Sequence, residues 1–294
     1  MTGLAATGLA FGGYVFFTIY HLGVEQVADD LYVLYGAGGN VAVLDTEEGA
    51  VVVDTMTLAY QGDRIQQVAL ELTGKPVIMI INTHYHLDHT HGNPAFPAGT
   101  RVVATDRTLH HLITTDIATF AGEAAALLPN ETFVDQTRLT VGEYHLTLVK
   151  PGQGHTDGDL VVLFEEQRIL HAGDLFFNGH YPNIDLEAGG SVRDWPETID
   201  VVMNLPFDGV IPGHGRFSDR AGFRQYQQFI SQLGELAAEA VAAGESQDEF
   251  VATAALTEDA GYSEIRMLVP IGLDRPFVLG RAYEEAAGLV SARP

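Results

Sequence analysis

The stretch NTHYHLDHTHGN, residues 82–93, places four histidines (His84, His86, His89, His91) and one aspartate (Asp88) within eight positions. It follows directly on the apolar run VIMII, residues 77–81. A short, unbroken apolar run bounded by turn residues reads as a strand buried on both faces. Asn82 and Thr83 then open a loop at the end of that strand. A helix would put His84 and His86 on different faces, whereas a loop leaving a strand lets the side chains converge. Histidines this dense, beside an aspartate, read as a metal site and not as packing residues.

Working outward, DLYVLYG (30–36), NVAVLDT (40–46) and GAVVVDT (49–55) read as strands, rich in Val, Leu and Tyr and bounded by Gly, Asp or Glu. Residues 58–72 carry Ile65, Val68, Ala69 and Leu72 at helical spacing, and Gly74 closes that helix. TRVVAT (100–105) predicts a strand, and a helix follows with Thr105 or Asp106 as its cap. In the second half YHLTLVK (144–150), DLVVLFE (159–165) and RILHAG (168–173) predict strands. Residues 192–204 predict a helix, and GVIPG (209–213) a short strand. Ser218 or Asp219 opens a long helix reaching about Ala243, with Phe223, Tyr226, Phe229, Ile230 and Leu233 on one face; a last helix covers roughly residues 276–289. Strands and helices alternate without a Pro/Ser-rich linker, which predicts one α/β domain of two similar halves, though no clean sequence repeat is present.

Composition narrows the function classes. The chain has 294 residues, 46% of them hydrophobic, enough for a sizeable core. Its net charge is −24, and Lys75 and Lys150 are its only lysines, so it repels phosphate backbones and nucleic acid is excluded as a partner. Without cysteine it has no disulfide, thiolate ligand or cysteine nucleophile. The stretch from Leu4 to Leu22 is apolar and uncharged and near membrane-spanning length, although no basic residue precedes it. Residues 1–23 are therefore read as a signal, an anchor or an N-terminal packing segment, and 24–294 as the domain. Export or membrane anchoring is the expected localisation, with the cytoplasm as the alternative; a membrane is a partner only if the segment is an anchor.

One loop cannot complete a metal site, since zinc takes about four ligands. Other strand ends supply the rest: His155 in GQGHTDGD (152–159), Asp174 in ILHAGDLFF (169–177) and His214 in GVIPGHG (209–215). Each is flanked by glycine, which lets backbone come close to an ion.

The H-x-H-x-D-H pattern of His84, His86, Asp88 and His89 resembles that of the metallo-β-lactamase fold superfamily. So do the later G-H-T of His155, G-D of Asp174 and P-G-H-G of His214, in that order, and the early VVVDT ending at Asp54 and Thr55. The match runs from about Leu31 to Gly215. The resemblance implies an αββα four-layer sandwich with the metal site at one edge, between the sheets. It implies two metal ions: one on His84, His86 and His155, one on Asp88, His89 and His214, with Asp174 bridging. It also implies a metal-bridging hydroxide as nucleophile, oriented by Asp88. Five His and two Asp suit zinc, with iron or manganese as alternatives. His91 falls outside the pattern and is read as a supporting or turn residue, Asp54 as a hydrogen-bond brace for the metal loop, His171 as a core histidine, and His110, His111 and His145 as surface or packing residues.

Within the superfamily, the cysteine-bearing β-lactamases are disfavoured because no cysteine is present, and Asp174 points to the broader hydrolase branch. The acidic segment GELAAEAVAAGESQDEF (234–250) disfavours an anionic glutathione thioester. The expected activity is hydrolysis of a small ester, lactone, thioester or amide, with β-lactams as a side activity; the alternative is a metal-binding, non-hydrolytic iron, redox or accessory protein. In the irregular segment FFNGHYPNIDLEAGGSVRDW (176–195), Asn178, His180 and Tyr181 are candidate substrate contacts. Arg216, two residues after His214, is a candidate partner for a substrate carboxylate and ranks ahead of Arg193.

Overall fold

The computed structural model describes residues 21–266 and 272–293. The first sheet begins with an antiparallel meander, β1 (Gly23–Ala28), β2 (Leu31–Tyr35), β3 (Val41–Asp45) and β4 (Ala50–Val53). Helix α1 (Ala59–Thr73) crosses to β5 (Val77–Ile81), which lies parallel to β4. The one-turn helix α2 (Leu87–Thr90) leads to β6 (Arg101–Thr105), α3 (Asp106–Thr115) and β7 (Glu131–Phe133), completing seven strands in sequence order.

The second sheet has order β13-β12-β11-β10-β9-β8. β8 (Gln136–Val141), β9 (Tyr144–Val149), β10 (Val161–Phe164) and β11 (Ile169–Phe177) are antiparallel. Helix α4 (Trp195–Met203) crosses to β12 (Gly209–His214), parallel to β11, and β13 (Ser218–Asp219) closes the edge. Then come α5 (Arg220–Ala243), α6 (Gln247–Thr253), the short pair β14 (Ile265–Arg266) and β15 (Gly272–Leu273), and α7 (Arg275–Ala286).

The period-two alternation of these strands builds three cores. Val51 and Val53 of β4 and Met79 and Ile81 of β5 face inward, meeting Leu146, Leu148, Val162 and Phe164 of the second sheet. Their neighbours Val52 and Ile80 face outward and pack with Ile65 and Val68 of α1. Leu163 and Leu170 point out of the second sheet toward Trp195, Ile199, Phe223, Tyr226 and Phe229 of α4 and α5. The result is helix, sheet, sheet, helix: the expected αββα sandwich.

Boundaries shift in two places. The helix expected over 192–204 starts only at Trp195, with Pro196 in its first turn, where a missing N–H costs nothing. Asp174, expected after a strand, lies inside β11, where the register against β12 shifts on both sides of Gly173. The apolar stretch read as a signal or anchor lies outside the described residues as far as residue 20. Among the described residues, no helix is long and apolar enough to cross a membrane.

The metal loop is clamped to the end of β4. Thr55 donates through its N–H to His89 O (2.8 Å) and through Oγ1 to Asn93 Oδ1 (2.7 Å), and Asn93 Nδ2 donates to Asn82 Oδ1 (2.8 Å). Gly92 makes this approach possible: a Cβ there would sit 1.9 Å from the carbonyl oxygen of Thr55. Gly92→Ala should therefore cost about 1–3 kcal/mol as backbone is forced apart, read as a lower urea midpoint with an unchanged m-value.

Candidate metal centre

The seven residues expected as ligands come together at one edge of the sandwich. His84, His86, His155 and Asp174 form one group, and Asp88, His89 and His214 another, with candidate ligand atoms in each within 4.8 Å of one another. Asp174 stands between the groups. Its Oδ2 faces His84 Nε2 (3.8 Å) and His155 Nε2 (3.5 Å); its Oδ1 faces His89 Nε2 (3.1 Å) and His214 Nε2 (3.5 Å). Asp88 Oδ2 lies 3.2 Å from His214 Nε2 and 3.7 Å from His89 Nε2. Gly213 leaves room for the Asp174 carboxylate, since a Cβ there would meet Asp174 Oδ1 at 2.0 Å.

Outer partners set the tautomer of each buried histidine. Carboxylate and carbonyl oxygens only accept, so the ring nitrogen facing them carries the proton. His89 Nδ1 donates to Asp54 Oδ2 (2.7 Å), His155 Nδ1 to the Asn183 carbonyl (2.9 Å) and His86 Nε2 to Asp185 Oδ2 (2.9 Å). Thr83 Oγ1 spends its own proton on Asp54 Oδ2 (2.7 Å), so it accepts from His84 Nδ1 (3.0 Å). The remaining nitrogens therefore face the site, ready to ligate wherever they carry no proton. His86 Nδ1 and His155 Nε2 face each other at 2.7 Å, and His84 Nε2, His89 Nε2 and Asp174 Oδ1 are buried without a hydrogen-bond partner. Unpaired buried acceptors this close are costly unless a cation lies among them. The donor set thus fits metal ions, and five imidazoles with two carboxylates suit zinc.

Electrostatics divide the imidazoles: Asp174, Asp88 and Asp54 outweigh burial and hold His89 well above the usual imidazole range, so without ions it carries a proton where an ion would sit. Burial, with His89 beside it, holds His84 well below the usual imidazole range, and burial takes His155 down to about 4, so both stay neutral and able to ligate. Burial alone would raise Asp174, but His89 and His214 lead the groups that outweigh it and hold the carboxyl well below the usual carboxylate range.

Asp54 has a further role. Its φ of 64° is unusual for a side chain other than glycine. In that conformation its buried carboxylate accepts from Thr83 N–H (2.8 Å), Thr83 Oγ1 and His89 at once. Asp185 and the Asn183 carbonyl had no sequence signal. They lie in the loop read as substrate-contacting, and they brace His86 and His155 across some 99 and 28 positions of chain. Asp185 also accepts from the Tyr85 hydroxyl.

His91 pairs with Asp116, and His171 is buried with Nε2 on the Asn40 carbonyl (3.2 Å). His111 is buried against Asp157, and His145 pairs with Glu166 near the surface. A cavity of about 140 Å³ opens beside the centre, lined by His86, Leu87, Asp88, Asp174, Phe177, Asn183, His214, Ile265 and Leu273. Asn178, His180, Tyr181 and Arg216 are not among those lining residues. Asn178 braces the turn after His214 by donating to Arg216 O (2.9 Å), His180 pairs with Ser263 (2.9 Å), and the Tyr181 hydroxyl donates to Asp259 (2.8 Å). Arg216 stacks over Tyr35 and lies 3.7 Å from Glu25. A larger groove of about 610 Å³ between α4, α5 and α7 holds none of the seven ligating residues, so its size does not make it the site.

A family model described as "Metallo-beta-lactamase superfamily" matches residues 34–214. A "Metallo-beta-lactamase type 2" of Elizabethkingia meningoseptica is 25% identical over 224 residues, covering 71% of this chain and 85% of the relative. The alpha subunit of a 2,4-dinitroanisole O-demethylase from Nocardioides is 23% identical over 209 residues, covering 70% and 62%. Among solved structures, a metallo-β-lactamase from Pontibacter korlensis superposes with a TM-score of 0.62 at 23% identity, covering 72% of this chain and 99% of its own. A double mutant of a sec-alkyl sulfatase reaches 0.72 at 17% identity, covering 92% of this chain and 51% of its own.

Two tests follow from the geometry. Asp54→Asn keeps a residue type that tolerates the left-handed backbone but presents an amide to His89 Nδ1, favouring the tautomer whose Nε2 is protonated. Zinc affinity should fall about 10–100-fold in chelator competition, with the circular dichroism spectrum unchanged. Asp159 accepts from Thr156 N–H (2.8 Å) and Oγ1 (2.6 Å) in the turn that presents His155, and burial pushes its carboxyl up to about 7. The folded chain then holds a proton that the unfolded chain has released, so this carboxyl's contribution to stability is lost as pH rises from about 4 to 7. Urea midpoints of metal-free protein at pH 5 and pH 7.5 should show that decline, and Asp159→Asn should flatten it.

Proposed function

The chain belongs to the metallo-beta-lactamase superfamily, and from that premise we propose that it is a dinuclear zinc hydrolase of a small ester, lactone, thioester or amide. One observation carries the reading: Asp174 turns each carboxylate oxygen to a different cluster of imidazoles, an arrangement suited to two ions. His84, His86 and His155 would hold one ion, Asp88, His89 and His214 the other, and Asp174 both. Bound ions of this kind supply Lewis acidity, which polarises a carbonyl and lets water lose a proton near neutral pH.

The chain's own residues do the rest. The outer hydrogen bonds of Asp54, Asn183, Asp185 and Thr83 keep the imidazoles deprotonated on the side facing the site. Burial pushes Asp88 up, but His89 and His214 outweigh it and keep it ionised well below neutral pH. Partly exposed to the cavity, it is placed to accept a hydrogen bond from the attacking water and orient it. Water oxygen bonds to the acyl carbon, the bond from that carbon to the leaving oxygen, sulfur or nitrogen breaks, and a water proton ends on the leaving group. Membership beside an enzyme named as a β-lactamase makes β-lactams a reasonable side substrate.

Elemental analysis of protein purified without added metal, followed by ester, lactone and nitrocefin assays, tests this. About two zincs per chain with turnover is expected, and Asp88→Asn should lower kcat by about 100-fold or more. Iron with visible absorbance and no turnover would replace this reading with a non-hydrolytic one.

A further inference from the structure

Resting on the hydrolase reading, we propose that the site selects an uncharged substrate carrying a small apolar group, and that Ile265 and Leu273 of the C-terminal strand pair set this preference. Beside the candidate ligands, the cavity is walled by Leu87, Phe177, Ile265 and Leu273, with Asn183 as the one neutral polar residue among the described lining. Phe177 is fixed there: it is fully buried, and its ring stacks on His214 at 5.0 Å between centroids and 16° between planes. Leu273 is buried as well, and β14 and β15 pair across the cavity mouth, Ile265 opposite Leu273.

Size limits what this space encloses. About 140 Å³ is close to the roughly 150 Å³ that accepts a benzene ring and well under the roughly 300–1,000 Å³ of sites for drug-sized ligands. His86, Asp88, Asp174 and His214 line the same space, so the ions they would hold take part of it; what remains admits a short acyl chain or part of a phenyl ring, and a bulkier substrate would leave most of itself outside.

Charge limits it further. No lysine or arginine is among the described residues lining the cavity. Three arginines of the neighbouring loops and helices are engaged elsewhere. Arg216 lies over Tyr35, Arg275 donates to Asp259 and to the carbonyls of Ala254 and Leu256, and Arg281 pairs with Glu187 and Glu284. A substrate carboxylate pressed against Leu87, Ile265 and Leu273 would lose water and gain no cationic partner among the described lining residues, Asn183 being a neutral polar neighbour. Among the described lining residues, the attraction for an anion would come from the ions held by the candidate ligands, where the scissile group must sit.

The zinc-loaded full chain tests this with 4-nitrophenyl acetate, propionate and butyrate, and with 4-nitrophenyl benzoate against its para-carboxylate analogue. kcat/KM should rise about three- to fourfold per methylene, and the benzoate should exceed its carboxylate analogue by about 100-fold or more. Leu273→Lys, or Ile265→Lys should the first variant fail to fold, should shrink that gap below about tenfold. Equal rates on the neutral and charged benzoates, or an unchanged gap in a folded variant, would overturn the proposal. Binding of acetophenone by ligand-observed NMR separates this from hydrolysis. If no ester turns over, the hydrolase reading fails, and the cavity assignment stands if either lysine variant weakens acetophenone binding about fivefold or more and falls if binding is equal.

Discussion

Everything at this edge of the molecule is arranged around the buried carboxylate of Asp174. An ionised carboxyl away from water is tolerable only with close, opposite or polar partners. Here the partners are imidazole nitrogens on both of its oxygens. Two of those imidazoles are neutral by burial, and their proton-bearing sides are already committed. The remaining positive charge must come from protons or from metal ions. Without ions, Asp174 and Asp88 overcome the effect of burial on His214 and raise it to about 9, so protons hold the place that metals would take. Metal uptake by such a centre is a competition with protons, which is why the outer hydrogen bonds that fix each tautomer matter as much as the ligands.

The fold delivers these groups by a simple rule. Each sheet combines an antiparallel part, which builds core, with a parallel part, which points strand ends the same way. β4 and β5 run parallel and end at Asp54 and at the loop of His84. β11 and β12 run parallel and carry Asp174 and His214. Ligand sites of α/β sheets collect at the carboxyl ends of parallel strands, and in this sandwich two such edges meet. The hydrogen bonds from Asn40 Nδ2 to the carbonyls of Pro212 (2.9 Å) and Gly215 (2.8 Å) tie the first sheet to the second right at that meeting point.

What sequence could reveal follows from the range of each interaction. Strands β2 to β6 and β9 to β12 were legible because burial writes itself as apolar runs and alternation. Helix α5 was legible because one face is aromatic and Asp219 caps it. Strand β1, GVEQVA, was not, because an edge strand with exposed side chains has no such pattern. Helix α6 did carry a signal, the capping box of Ser246 and Glu249, which its short length obscured. In the metal centre the ligating residue types stood out by density and spacing. Asp185 and the Asn183 carbonyl did not, since a hydrogen bond spanning some 99 positions leaves no trace in local sequence, and a backbone carbonyl leaves none at all. Asn178, His180 and Tyr181 follow Asp174 closely along the chain, and β11 runs on to Phe177; the side-chain partners of the three, Arg216 O, Ser263 and Asp259, come from distant parts of the chain and left no local trace.

Charge acts on this molecule at two ranges. The exterior carries −24 overall, and such a field draws divalent cations toward the chain and repels anions before contact. Its reach is about a Debye length, so it influences encounter more than the final pose. Inside the mouth, Leu87, Ile265 and Leu273 take over, and contact chemistry there is apolar. The metal residues sit at the junction of the two regimes, fed with cations by the outer field and screened from anions by the inner wall. A centre whose own ligands bring two carboxylates needs the first effect. On the proposed reading, a site that would polarise carbonyl groups without being occupied by every carboxylate in solution needs the second.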